Sequence, residues 1–182
     1  MQWMKRLRPS VASVTREAWV LSTSFEDGII ALLPRLRRFA AGLTRNLAEG
    51  DDLCQMTIER ALKARHQWAE GTRLDSWIYR IMRNLWIDEI RASKRRQQTF
   101  VEEEAGLREG VGGDQEARVE LGFVGRAMGK LPDEQREAVL LVMVEGYGYQ
   151  EAAAIIGCPV GTLSSRFVRG RDALQKMLEG VQ

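Results

Sequence analysis

At 182 residues, with 27 Lys and Arg against 25 Asp and Glu and an apolar content of 45%, the chain has room for one medium or two small globular units. No apolar run approaches the roughly 18 residues needed to span a membrane, so no membrane insertion is expected. Cys54 and Cys158 lie far apart without Cys-x-x-Cys spacing and His66 is the one histidine, so no metal site, disulfide framework or cofactor is expected.

The start, "MQWMKRLRPSVASVTREAWVLS", is basic, but Arg16 and Glu17 interrupt it before a secretory apolar core can form. A cytoplasmic location is expected. Period-2 alternation is not sustained anywhere, whereas Ile29, Leu32, Leu33, Leu36, Phe39, Ala40 and Leu43 recur at helical spacing. The chain reads as all-α. Gly50-Asp51-Asp52 is placed as the cap of a helix running to about Arg65, "HQWAEGT" (66–72) as a loop, and Leu74 to about Arg95 as a long helix. On that helix Leu74, Trp77, Ile78, Ile81 and Leu85 share a face, which puts Trp77 in the core and leaves Trp86 undecided.

After "KRRQQ" the helical period is lost. The stretch 98–118 carries six acids against two bases and several glycines, and is expected to be a flexible acidic linker. Patterning resumes near Val119, and "LPDEQ" marks a new start, with Pro132 in the first turn and Asp133 and Glu134 near the positive helix end. That helix is expected to stop at Gly146-Tyr147-Gly148. Charge is unevenly spread: 72–96 holds seven Lys or Arg against three acids, and 162–176 four against one.

The last part, "GYGYQEAAAIIGCPVGTLSSRFVRGRDAL", is two short helical patterns broken by Gly157-Cys158-Pro159. Small Ala and Ile residues permit close approach on the first. On the second, a cap at Thr162 would turn Leu163, Phe167, Gly170 and Leu174 inward, with Thr162, Ser165, Arg166 and Arg169 outward. This is a helix-turn-helix layout whose second helix carries groups that bond phosphates and guanine edges.

With those residues in view, the chain resembles the extracytoplasmic-function (group 4) sigma factors of bacterial RNA polymerase. The segment just quoted, together with "LPDEQREAVLL", is similar to their region 4. "EGDDLCQMTIERALKA" and "GTRLDSWIYRIMRNLWIDEIRASKRR" are similar to region 2. The resemblance implies two small helical domains, 25–97 and 119–182, joined by the 98–118 linker, while 1–24 has no counterpart in it. It implies that Asp51, Asp52, Gln55 and Glu59 meet core RNA polymerase, with Met56 departing from the acidic residue common at its place. It further implies that Trp68, Gly71, Thr72 and Arg73 capture a flipped base of the −10 element. Arg80, Arg83, Asn84, Arg91, Lys94 and Arg95 would then follow the DNA backbone, which positions without reading sequence. The −35 readout would fall on Ser164, Ser165, Arg166 and Arg169, with Thr162 and Arg171 nearer the phosphates. Ser164 stands where many relatives carry Lys or Arg.

The expected function is promoter selection and −10 melting with core polymerase and promoter DNA as partners, under an anti-sigma factor. No catalytic constellation is present, so no enzyme activity is expected. The rival readings are a sigma-like decoy that titrates an anti-sigma factor, and a stand-alone helix-turn-helix regulator. The first would lose the DNA-reading residues, and the second would not need the 51–96 block.

Overall fold

The computed structural model describes residues 24–99 and 124–179. The expected leader and nearly all of the acidic linker fall outside the described residues, as do the side chains of Lys94 and of 96–99. The described residues form helices and turns with no strand among them.

Helix α1 (Phe25–Thr44) starts at Ser24, whose hydroxyl accepts from the Asp27 amide, with Glu26 and Asp27 in the first turn facing the positive end of the dipole. Its periodic residues Phe25, Ile29, Leu32, Leu36, Phe39, Ala40 and Leu43 are all buried, as their spacing requires. A left-handed Arg45 (φ 64°) ends it. Helix α2 (Leu47–Lys63) then begins three residues before the expected cap. Asn46 Oδ1 accepts from the amides of Ala48 and Glu49, and Leu47-Ala48-Glu49 propagate the helix, so Gly50-Asp51-Asp52 lies inside it. Gly50 serves packing instead: a Cβ there would sit 2.7 Å from Ala41 Cα, where α1 and α2 cross.

A turn at Arg65–Gln67 and a loop with Gly71 at φ +82° lead to α3 (Leu74–Thr99), which runs four residues beyond the expected end. Gln97 and Gln98, good helix formers, continue it. Ile78, Tyr79, Met82 and Trp86 are buried, which settles Trp86 as core, and Trp77 packs edge-on to Phe25 as its stripe predicts.

Helix α4 (124–130) precedes α5 (Asp133–Val139), for which Pro132 is the N-cap and not a first-turn residue, and which widens into a π turn over Leu140–Val144. The Glu145 amide bonds to the Leu140 carbonyl at 2.9 Å, the spacing of that wider turn. Helices α6 (Tyr149–Ile156) and α7 (Val160–Glu179) follow, joined through a left-handed Gly157 at φ +74°. α7 starts at Val160 directly after Pro159, so Thr162 lies within its first turn and is not its cap. The Ala and Ile face of α6 is buried against α7, and Gly170 lets α7 approach α5, with Val139 Cγ2 2.8 Å from where its Cβ would be.

The α1–α3 and α4–α7 sets pack against each other and share one apolar cluster, in which Tyr79 stands edge-on to both Phe39 and Tyr147. Arg136 ties the sets together. Its buried guanidinium donates to the Leu43 carbonyl at the open end of α1 and to the Leu131 carbonyl, and lies over the Trp86 ring.

Candidate nucleic-acid interface

On α7 the inward set is as expected: Leu163, Phe167, Gly170 and Leu174 are buried. The outward face is narrower than expected. Ser165 and Arg169 are exposed, Thr162, Ser164 and Arg171 are half-buried, and Arg166 is only 18% exposed because it pairs with Glu134 of α5 at 2.8 Å. Ser165 Oγ donates to the Thr162 carbonyl, and Arg169 Nε donates to the Ser165 carbonyl, which holds the arginine along the helix. Arg171 folds onto its neighbour Asp172. Val168 joins the exposed face, although its apolar side chain does not mark it as a DNA-facing group; its three-residue spacing from Ser165 is the sequence signal for it. Such a face offers donors for guanine and phosphate and an apolar group for a thymine methyl.

The loop before α3 is built around turns. Thr72 Oγ1 donates to the Ala69 carbonyl at 2.6 Å, and Gly71 has open space where a side chain would be. Trp68 does not project freely: its ring packs 5.4 Å from that of Phe25, and its Nε1 is buried without a hydrogen-bond partner. Beside it lies an open depression of about 420 Å³ lined by Leu62, Lys63, Arg65, His66, Trp68 and Glu70. Its charges are mixed: Lys63 and Arg65, the latter paired with Glu26 at 2.7 Å, stand beside Glu70.

The polar side chains on and just before α3 divide in two. Asn84, Arg91 and Arg95 are exposed, Arg91 with Asp88 3.8 Å away. Arg73, Arg80 and Arg83 instead reach across to α5 and α6. Arg73 pairs with Glu151 and with Asp75 (2.7 Å) and lies over the Tyr147 ring. Arg80 donates to the Ala154 carbonyl at 3.1 Å, and Arg83 Nε lies 2.6 Å from Glu137 Oε1. Burial pushes the Asp75 carboxyl up, but the two bonds it accepts from Arg73, with that guanidinium's charge and the Ser76 amide, outweigh this and leave it below its ordinary value.

Nearby, the Glu145 side chain is wholly buried and receives Arg35 Nε at 2.9 Å, Arg38 Nη2 at 3.2 Å and the Tyr79 hydroxyl at 2.6 Å. Burial and the Glu145 charge both hold the Tyr79 phenol well above its usual range. None of these seam residues stood out in the sequence. An acid within the apolar run "REAVLLVMVEG" was the available signal.

On α2, Asp51, Asp52, Gln55 and Glu59 are all exposed, Gln55 donating to Glu59 at 3.2 Å and Asp51 3.4 Å from Arg37. Met56 and Leu62 are exposed on this same helix, so its outer surface is acidic with apolar insertions. Among the described residues no helix is long and apolar enough to cross a membrane.

A helix-turn-helix with a basic outward helix, beside a second helical set carrying its own basic helix and an acidic face, defines a two-part DNA-binding protein of transcription. Comparison with known proteins makes this specific. The Sigma-70 region 2 family matches residues 29–96 and the Sigma-70, region 4 family residues 124–174. The ECF RNA polymerase sigma factor EcfG of Rhodopseudomonas palustris (strain TIE-1) is 39% identical over 158 residues, covering 87% of each chain. The sigma factor RpoE of Bartonella quintana, solved in complex with the anti-sigma factor NepR, superposes with a TM-score of 0.72 at 32% identity, over 85% of this chain and 96% of that one. The anti-anti-sigma factor PhyR of the same organism, solved with NepR, shares the fold, with a TM-score of 0.53 at 20% identity over 84% of this chain and 50% of that one. The chain belongs to the extracytoplasmic-function RNA polymerase sigma factors, the class that directs the polymerase to specific promoters.

Proposed function

We propose that this sigma factor reads the −35 element with α7, through Ser164, Ser165, Arg166 and Arg169, with Thr162 and Arg171 on the phosphates. The 66–73 loop captures a −10 base with Trp68, Gly71, Thr72 and Arg73, while Arg80, Arg83, Asn84, Arg91, Lys94 and Arg95 follow the backbone. Asp51, Asp52, Gln55 and Glu59 dock on core polymerase. The functional units are 25–97 and 119–182, with 98–118 as the tether. The protein works in the cytoplasm, catalyses no reaction of its own, and is held in check by an anti-sigma factor. The likeness to a sigma factor solved with NepR supports that control.

The observation that carries the reading is the exposed stripe of Ser165, Val168 and Arg169 on the outer helix of a helix-turn-helix. Purified core polymerase with and without the protein, transcribing genomic DNA, tests it by sequencing the transcripts. New start points sharing a paired −35 and −10 motif are expected. The fold shared with PhyR favours a second reading, a decoy that only sequesters an anti-sigma factor. A decoy would add no start points.

A further inference from the structure

Three of the arginines proposed to meet −10 DNA, one in the base-capturing loop and two on α3, are engaged by the chain itself. Arg73, Arg80 and Arg83 are held by Glu151, the Ala154 carbonyl and Glu137, all of the α4–α7 set. A phosphate needs the same guanidinium donors, so this packing and −10 binding exclude each other at those positions. The arginines do not hold the seam by themselves, since Arg73 and Arg80 remain accessible to water. The buried attachment is Glu145, whose side chain is 0% exposed and whose two oxygens receive Arg35 and Arg38 from α1 and Tyr79 from α3. The π turn over Leu140–Val144 carries this acid across the seam.

We propose that Glu145, seated in the cradle of Arg35, Arg38 and Tyr79, is an intramolecular latch that keeps the −10 arginines covered until the two sets separate. This rests on the sigma-factor reading above and adds a regulatory step to it. A carboxylate taken out of water needs its donors, and it loses them only if the whole seam opens and water replaces them. Removing its charge therefore favours the open arrangement without touching any DNA-facing residue.

The test uses the full chain as wild type, Glu145→Gln and Glu145→Ala, with Tyr79→Phe as a milder variant that removes only one donor. Far-ultraviolet circular dichroism verifies that each retains its helices. The radius of gyration from small-angle scattering reads opening. Binding of a fluorescein-labelled random single-stranded DNA of about 20 nucleotides, without polymerase, reads release of the arginines. The expected result is a larger radius and at least fivefold tighter DNA binding for both Glu145 variants, with Tyr79→Phe between them and wild type. An unchanged radius in both Glu145 variants, or a larger radius with unchanged DNA affinity, overturns the latch. Transcription with core polymerase is run on the same samples. If wild type and variants all initiate while radius and affinity stay equal, the latch alone falls; if none initiates, the sigma-factor reading falls, and the scattering and DNA arms still decide the latch.

Discussion

Arg83 Nε lies 2.6 Å from Glu137 Oε1, yet the two are not aligned as a hydrogen bond, and each atom is buried without another partner. Glu137 is 3% exposed, and burial pushes its carboxyl up to about 7 against the pull of Arg83 from α3 and Arg166 from α7, with Glu134 of α5 adding to the rise. The packed chain thus binds this proton more tightly than the unfolded one. Its stabilising effect is full below the ordinary value of 4.5 and is lost as pH rises through about 7. At about 1.4 kcal/mol per pKa unit the loss is roughly 3–4 kcal/mol at most. The urea midpoint should fall between about pH 5 and pH 8, and Glu137→Gln should flatten that fall. Asp75, whose carboxyl is lowered, titrates below this window and does not offset it.

Three glycine-to-alanine substitutions should change stability with opposite signs. At Gly50 the new Cβ would meet Ala41 Cα at 2.7 Å and its nitrogen at 2.8 Å, backbone atoms that cannot turn aside. At Gly170 it would meet Val139 Cγ2 at 2.8 Å and the Gln135 carbonyl at 3.1 Å. Overpacking of this kind costs about 1–3 kcal/mol, with Gly50→Ala the worse. Gly161 has nothing within 4 Å, so Gly161→Ala should stabilise by about 0.5–1 kcal/mol through helix propensity. Thermal unfolding of the three variants checks both signs.

Arg166→Ala should cost about 1–3 kcal/mol of discrimination at one −35 position, the range for a bidentate arginine on guanine. Because Arg166 must first leave Glu134, Glu134→Gln should strengthen −35 binding without altering base preference. Arg91→Ala, remote from α7 and exposed on α3, should instead weaken all promoters alike and flatten the salt dependence. Holoenzyme binding to promoter variants at several salt concentrations separates the three outcomes.

Charge reversal at Asp52 together with Gln55→Lys should weaken binding to core polymerase, since both side chains are exposed on the acidic face of α2 and make no contact that folding needs. Met56 is exposed on the same proposed docking surface, and Met56→Glu should increase the salt sensitivity of that binding. Co-purification with core polymerase at low and high salt measures both.

The helices were legible because burial imposes a period that each segment carries in its own sequence: Ile29, Leu32, Leu36 and Phe39 announce their buried face unaided. Boundaries were less so. Gly50 looks like a helix start until Ala41 is brought against it, and Thr162 looks like a cap until Pro159 is seen to end the turn one residue before α7. The seam was not legible at all. Glu145 and Arg35 are separated by 110 positions, and neither has a local feature that distinguishes a buried partner from a solvated charge. The half-burial of Arg166 was hidden for the same reason, since its partner Glu134 lies on another helix.

On the function proposed above, promoter sequence is read by two separate elements of this chain, the 66–73 loop at −10 and α7 at −35. Replacing "WAEGTR" by the corresponding loop of another family member tests it most directly. The measurement is open-complex formation by the reconstituted holoenzyme on a library randomised at the −10 element, with permanganate reactivity of unpaired thymines as the signal. A flipped base needs a shaped pocket, whereas phosphate contacts carry no sequence, so the preferred −10 base should change while −35 preference and core binding stay as in wild type. An unchanged −10 preference after the graft would rule out readout by the loop and move it to α3, where Asn84 is the exposed polar side chain nearest the loop in sequence that no partner holds.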